Sequence, residues 1–546
     1  MSPPNARSAW ANAPFFVAFS LGAMVAIRTM MQNPIGPGQD FHYHLMSASF
    51  AARGWLGDPD ITALYHKVNP LHCNTLLYTL SFPFVTLLGP VNGFKTALSI
   101  FYFVGYPVAC VGALAALRRS LWGAILAFPL CYVRVYTHSG FLPFVIAAPF
   151  FVLSVGLFWR VHHDATNRSV VDPTGRGLPF FMRAAMIACT LTFLGHGHMH
   201  AWLMLVLAFI ALWAMGQAFA AHVAFSPRRA LAAAFFSGLR SLAMVTPSLL
   251  PFAYWYVDTH YGPHAAPPVP LVPTLNVALA KLQMVFTILG QIKNDDTEFV
   301  LVMAFLGVIM AGALLSQRKR DRLPAPEIAF LLTAASFHFL PWSVSQQTVA
   351  VRHFDIALWL LPLVVYPLAP SRAPVRHALV VSAFMAYAYF RVSFTAKNLQ
   401  LLQKELAGLH DMAVPCPPPA EIAYVTNGVQ PYNWNTEGLH QVHETYAAMC
   451  KLDTPVYDTA RSPHNLLALR YKVPMPAPVT ILQSTVGWYK TPRLFQNFKY
   501  VLVRNWQPTE EELEEAMEVA DRIRVSSDRG KWQLWKRKGP DVPFPE

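Results

Sequence analysis

The sequence predicts a mainly α, polytopic membrane protein of about eleven transmembrane helices, followed by a C-terminal α/β domain. Three observations predict it. Of 546 residues, 54% are hydrophobic and 13% charged, about half the charged share of a soluble domain. Charge-free apolar runs recur along most of the chain. Beyond Arg391 the composition turns polar, and the linker Pro415-Cys416-Pro417-Pro418-Pro419 sets off the last stretch.

The apolar runs are taken as spans and oriented by the lysines and arginines between them. The first is Ala13–Ile27, read as a retained span because no small-residue cleavage site follows it. A long loop, Arg28–Asn92, comes next. Within it, Leu76–Leu88 is apolar but broken by Pro83. Counting it as a span would invert every later loop, so it is read as a helix along the membrane surface. The remaining spans are Lys95–Leu117, Leu121–Tyr136, Phe141–Trp159, Phe180–Leu194, His200–Ala220, Leu231–Tyr256, Phe299–Leu315, Glu327–Trp342, His353–Leu368 and Val375–Phe390. This places Arg118 and Arg119, Arg160 to Arg183, Arg228 and Arg229, Arg318 to Arg322, and Arg372 and Arg376 inside. The outer loops are then 28–92, 137–140, 195–199, 257–298 and 343–352, with the N-terminus cytoplasmic and the C-terminus outside.

Three divisions follow: a membrane part, 1–393; a helix and proline-rich linker, 394–419; and a soluble extracytoplasmic domain, 420–546. In the last, Ile422–Val425, Val479–Gln483, Tyr500–Val503 and Trp532–Trp535 read as strands. Thr509–Arg524 reads as a helix capped by Thr509, and Asn435–Met449 as a second.

The net charge of +13 belongs to cytoplasmic arginines and does not indicate nucleic-acid binding. No CxxC spacing occurs, which excludes zinc-thiolate and thiol-redox motifs. Cys416 and Cys450, the two cysteines of the last domain, are candidates for a disulfide or are two unpaired thiols. No P-loop, no GxGxxG in a βαβ context and no Ser-His-Asp order is present.

Residues suited to chemistry gather in the outer loops. Asp40 is the first acidic residue and lies just past the first span, with His42 and His44 after it. Asp40 and His44 are four apart and share a helix face. Asp40 suits a general base or a metal ligand, or else caps an interfacial helix. Asp58 and Asp60 flank Pro59, a sequence that also favours a plain turn. His196, His198 and His200 alternate, a spacing that suits a metal or hydrogen bonding to phosphate. Arg352 and His353 open a late span, where an arginine can clamp phosphate or snorkel to the interface. The candidate metal ligands are Asp40, Asp58, Asp60 and His198, for a divalent ion such as Mg or Mn.

Several of these features together resemble the GT-C superfamily of glycosyltransferases. They are the Asp40-x-x-x-His44 after the first span, the amphipathic first loop with its surface helix, Asn92-Gly-Phe-Lys-Thr-Ala-Leu98, and Arg118-Arg119. The histidines at 196–200, Arg352-His353-Phe354-Asp355 and the C-terminal α/β domain complete the set. The resemblance implies transfer of a sugar from a polyprenyl-phosphate donor to a lipid or glycan acceptor of the cell envelope, at the outer face of the inner membrane. It implies that Asp40 is the essential first-loop carboxylate. His44, His196, His200, Arg352 and His353 then bind substrate or its phosphate. The partners are the polyprenyl-linked sugar, the bilayer and the acceptor, with no nucleic acid. A WWD-type acceptor motif is absent, and Lys67-Val-Asn-Pro70-Leu71 stands nearest to the family's Lys-Pro-Pro-Leu, which sets a protein acceptor in doubt. A flippase of lipid-linked intermediates and a non-catalytic envelope scaffold are the competing readings. The first wants ionisable residues at mid-membrane, whereas here they gather at one face.

Overall fold

The computed structural model describes residues 6–32, 41–67, 73–117, 119–137, 142–166, 180–197, 201–207, 242–261 and 350–364, then 422–426, 469–471, 499–505, 508–526 and 531–539, with shorter stretches between. Helix α1 (Ala6–Gln32) presents Phe16, Val17, Leu21 and Met24 to its surroundings and buries Phe15, Ala26 and Met30. An apolar outer face of that kind suits contact with lipid. Inward, Phe15 meets Trp122 with ring centroids 5.8 Å apart and Phe19 meets Phe128 at 5.0 Å.

Helix α2 (Phe41–Trp55) is followed by α3 (Pro59–Leu64), the short strand β1 (Tyr65–Lys67) and α4 (Leu76–Leu88). Helix α5 (Pro90–Leu98) runs through a π-helical turn, Ser99–Val104, into α6 (Gly105–Ala116). Gly89 adopts φ 79° and Pro90 opens α5, so the chain reverses sharply between α4 and α5. Gly93 then lets the two helices touch backbone to backbone: a Cβ there would collide with the Phe84 carbonyl and Val85 Cα.

A 3₁₀ turn, Leu121–Leu126, leads into α7 (Ala127–Thr137), and α8 (Leu142–Val145), α9 (Ala148–Thr166) and α10 (Phe180–Gly197) follow. A second 3₁₀ turn, Thr246–Ser248, starts α11 (Leu249–Tyr261). Next come β2 (Pro273–Thr274), β3 (Ser343–Val344), β4 (Gln347–Thr348) and α12 (Ala350–Val364). Trp359 of α12 packs on Phe144 at 4.6 Å, while Tyr106 of α6 donates to the Trp359 carbonyl at 3.1 Å. One hydrophobic cluster thereby joins α1, α2 and α4 to α12.

The C-terminal part holds β5 (Ile422–Thr426), β6 (Leu469–Tyr471), β7 (Tyr500–Arg504), α13 (Glu510–Val519), β8 (Ala520–Val525) and β9 (Trp532–Arg537). Four of these strands form a sheet in the order β5-β7-β9-β8, with β5 and β7 parallel and the other pairs antiparallel. Trp532 and Trp535 are fully buried against it. Thr509 caps α13 through a reciprocal bond with Glu512.

The expectation of about eleven spans is overturned. Among the described residues, two helices are long and apolar enough to cross a membrane: Ala13–Gln32 and Pro90–Ala116. Apolar composition does not guarantee an unbroken helix. The run Leu121–Tyr136 begins as a 3₁₀ turn, and Phe141–Trp159 is split between α8 and α9. Among the described residues helix α12 covers 15, short of the roughly 20 that a span requires. The expected spans Phe299–Leu315, Glu327–Trp342 and Val375–Phe390 lie wholly or mostly outside the described residues. The two long helices and the apolar composition still place the chain in a membrane.

Three local expectations also changed or fell outside view. Helix α2, for which an interfacial position was one of two readings, is buried on nearly every side, with Phe41 on Phe94 and Trp55 on Phe82. The helix expected over Thr509–Arg524 stops at Val519, because residues from Ala520 pair antiparallel with β9. The expected elements Val479–Gln483 and Asn435–Met449 lie outside the described residues.

Two β pairings tie distant loops together. Strand β1 of the first loop pairs antiparallel with β6, Tyr65 opposite Tyr471 and His66 opposite Arg470. Strand β2 pairs with β3, which joins the loop after α11 to the hairpin before α12.

Candidate functional site

The first turn of α4 receives a histidine from each of two other helices. His44 on α2 sits with Nδ1 2.9 Å from the Tyr78 hydroxyl. His196, in the last turn of α10, has Nδ1 3.2 Å from Thr75 Oγ1. Thr75 is the residue before α4, and Tyr78 lies one turn further, so both point from nearly the same side of the helix. Gly197 permits this approach: a Cβ on it would press the Leu76 side chain at 3.0 Å. All four polar residues are buried.

Burial lowers the His44 pKa to about 3, so the ring is neutral at neutral pH. Tyr78 donates to Nδ1 or accepts from it according to which ring nitrogen carries the proton. The same burial pushes the nearby Cys73 thiol up to about 12, which leaves it un-ionised and unreactive as a nucleophile.

The Thr75 contact has a local cost. A threonine before a helix ordinarily turns its hydroxyl back to the N–H groups of the first turn. Here the hydroxyl faces His196, α4 has no side-chain cap, and its first turn contains no acidic residue. Asn74, just before it, takes the left-handed φ of 64° that asparagine tolerates better than most residues. Its Oδ1 is buried and finds no hydrogen-bond partner among the described residues.

The other expected residues divide clearly. Asp40 precedes α2 by one position and lies outside the described residues, as do His198 and His200. Asp58 is engaged by Arg53, whose Nε meets Oδ2 at 2.7 Å, and its carbonyl accepts the Thr62 N–H that starts α3. Asp60 follows within α3. Among the described residues no group of three His, Cys, Asp or Glu side chains is placed to hold a metal. Arg352 is half-buried on α12, His353 is in the same helix, and Asp355, one turn on from Arg352, is buried. Cys450 is disulfide-bonded, and Cys416 lies outside the described residues.

Sequence reasoning missed Asn74, Thr75 and Tyr78, and also Lys95. Lys95 is buried on α5 and donates from Nζ to the Met31 carbonyl at 3.2 Å, in the last turn of α1. A cation suits the negative end of a helix dipole. The available signal was a lone lysine at the head of an apolar run. For Asn74-Thr75 it was the pair of capping-type residues directly before Leu76.

No family model matches the chain, and no curated protein matches it. Among solved structures, ArnT from Cupriavidus metallidurans in the apo state is similar over 97% of this chain and 98% of its own, at 11% identity and a TM-score of 0.51. The structure of that protein bound to undecaprenyl phosphate aligns over 96% and 98%, at 11% identity and a TM-score of 0.46. At this identity the likeness shows the fold. This chain is built like ArnT along nearly its whole length.

Proposed function

We propose that this protein is a membrane glycosyltransferase. In this reading it moves a sugar from a polyprenyl-phosphate donor to a lipid or glycan acceptor of the cell envelope. The observation that carries the reading is the likeness to ArnT over 97% of the chain, an analogy of fold that the site chemistry supports. Asp40 acts on the acceptor hydroxyl as base or positioning group. The phosphate that departs from the sugar gathers negative charge, and hydrogen-bond donors fixed before the reaction stabilise it without reorganising. His44 and His196, with His200, Arg352 and His353, are the proposed donors. A neutral His44 suits this role, because its ring is held in one place by Tyr78 and adds no charge to a buried site.

Asp40, Asp58, Asp60 and His198 are the candidate ligands for a divalent ion, Mg or Mn. We place the site and the C-terminal part at the outer face of the inner membrane. Two observations support a shared face: β1 pairs with β6, and β2 with β3. Every strand involved belongs to a segment that the lysine and arginine count assigned to that side.

The test is product formation. Membranes containing the protein are incubated with bacterial lipid extract carrying radiolabelled polyprenyl-phosphate sugars. Label is then followed into the lipid and glycan fractions by chromatography. Transfer above membranes lacking the protein supports the reading; equal transfer in both contradicts it.

A further inference from the structure

We propose that Phe94 and Lys95 of α5 form a clamp that positions Asp40 for the reaction. What the clamp serves rests on the glycosyltransferase reading; the clamp itself rests on contacts within the protein. Residues 33–40 join the last turn of α1 to the first residue of α2, and Asp40 closes that stretch. Each end of it is held by α5. On the near side, Lys95 donates from Nζ to the Met31 carbonyl at 3.2 Å. On the far side, Phe94 packs edge-on against Phe41, with ring centroids 5.2 Å apart and an interplanar angle of 74°. Phe41 directly follows Asp40, so one peptide unit sets their Cα atoms about 3.8 Å apart. Adjacent residues on a helix point about 100° apart, which lets two neighbours serve two different helices.

Three features make this a clamp. First, the last turn of α1 has no basic residue of its own, and its final carbonyls meet no N–H within the helix. The Lys95 ammonium answers both an open carbonyl and the negative end of the helix dipole. Second, Phe41 and Lys95 are 1% exposed and Phe94 is fully buried, so solvent does not compete for either contact. Third, α5 is itself fixed against α4: the Gly93 backbone lies against Phe84 and Val85, and Gly89 and Pro90 turn one helix sharply into the other. Helix α4 in turn meets His44 and His196 through Tyr78 and Thr75. One closely packed helix pair therefore carries the anchors of Asp40 and the hydroxyls that meet both histidines. A carboxylate that acts on an acceptor hydroxyl must stand within hydrogen-bond reach of it, and a misplacement of about 1 Å can cost roughly a hundredfold in rate.

The test makes two measurements on the full-length protein in nanodiscs. One is amide deuterium exchange over residues 33–41. The other is transfer of label from the radiolabelled polyprenyl-phosphate sugars of bacterial lipid extract. Lys95→Met keeps the length of the stem and removes the ammonium. Phe94→Leu removes the ring against Phe41 and leaves Lys95 in place, so either variant carries the test if the other fails to fold. The expected result for each is exchange over 33–41 raised at least roughly threefold. The maximal transfer rate should fall by roughly tenfold or more, with the half-saturating donor concentration within about twofold of wild type. A merely structural role would leave the maximal rate per folded molecule unchanged. Exchange like wild type in both variants, or raised exchange with an unchanged maximal rate, would overturn the clamp and leave the glycosyltransferase reading standing. A wild type without transfer removes that reading, and exchange alone then decides the clamp: raised exchange upholds it and unchanged exchange overturns it.

Discussion

Thr75 and His196 are 121 positions apart in sequence, and their side chains meet at 3.2 Å inside the protein. The contact fastens the last turn of α10 to the start of α4. Removing the hydroxyl while keeping the shape, as in Thr75→Val, should lower stability by about 1 kcal/mol, the usual worth of one such bond. Thermal unfolding in detergent would show it as a lower midpoint. An unchanged midpoint would mean that the contact does not hold α10 in place.

His44 makes stability depend on pH in a definite direction. Its folded pKa of about 3 lies below the ordinary 6.5, so between these values the unfolded chain binds more protons than the folded one. Its contribution is therefore complete above pH 6.5 and is lost as pH falls towards 3, at roughly 1.4 kcal/mol per pH unit. Unfolding measured from pH 7 down to pH 4 should give a shallower slope for His44→Gln than for the wild type. Parallel slopes would show that His44 is not buried in its neutral form.

The β1–β6 pairing predicts a cross-link. His66 and Arg470 are directly opposed in an antiparallel pair, where Cα atoms lie about 4.5–5.5 Å apart, within disulfide range. The double variant His66→Cys, Arg470→Cys, with a protease site inserted just before Pro415 so that Cys416 and Cys450 stay on one fragment, should run as one band after cleavage without reductant and as two with it. Two bands in both lanes would separate the first loop from the C-terminal part.

Gly93 tests how closely α4 and α5 are packed. A methyl group at this position meets backbone, which cannot turn aside as a side chain can. Gly93→Ala should cost about 1–3 kcal/mol through overpacking. Stability equal to wild type would show that the helices sit further apart than described.

Much of the local structure was legible in the sequence. The apolar run Leu76–Leu88 is α4 residue for residue, because Thr75 before it and Gly89 after it are ordinary helix boundaries. Thr509 and Glu512 spelled out a capping box. The end of α13 was not legible, since Ala520–Val525 becomes a strand only through pairing with β9. The span count failed for a related reason: hydropathy sums composition, whereas 3₁₀ turns and the break between α8 and α9 depend on packing. His44 and His196 stood out as unusual polar residues in apolar surroundings. Their shared target did not, because Thr75 and Tyr78 belong to a helix expected to lie along the membrane surface. Only tertiary contact reveals that its first turn is enclosed.

The central claim is that a first-loop carboxylate drives sugar transfer, and Asp40→Asn tests it most directly. Asparagine keeps the size of the side chain and removes its charge and basicity. The measurement is transfer of labelled sugar in membranes matched for protein level, with undecaprenyl phosphate binding as a parallel check on the fold. The account predicts transfer lowered by at least roughly 100-fold, within the usual range for a general base, with binding of the lipid phosphate retained. Transfer at the wild-type rate from a normally expressed Asp40→Asn protein would contradict it.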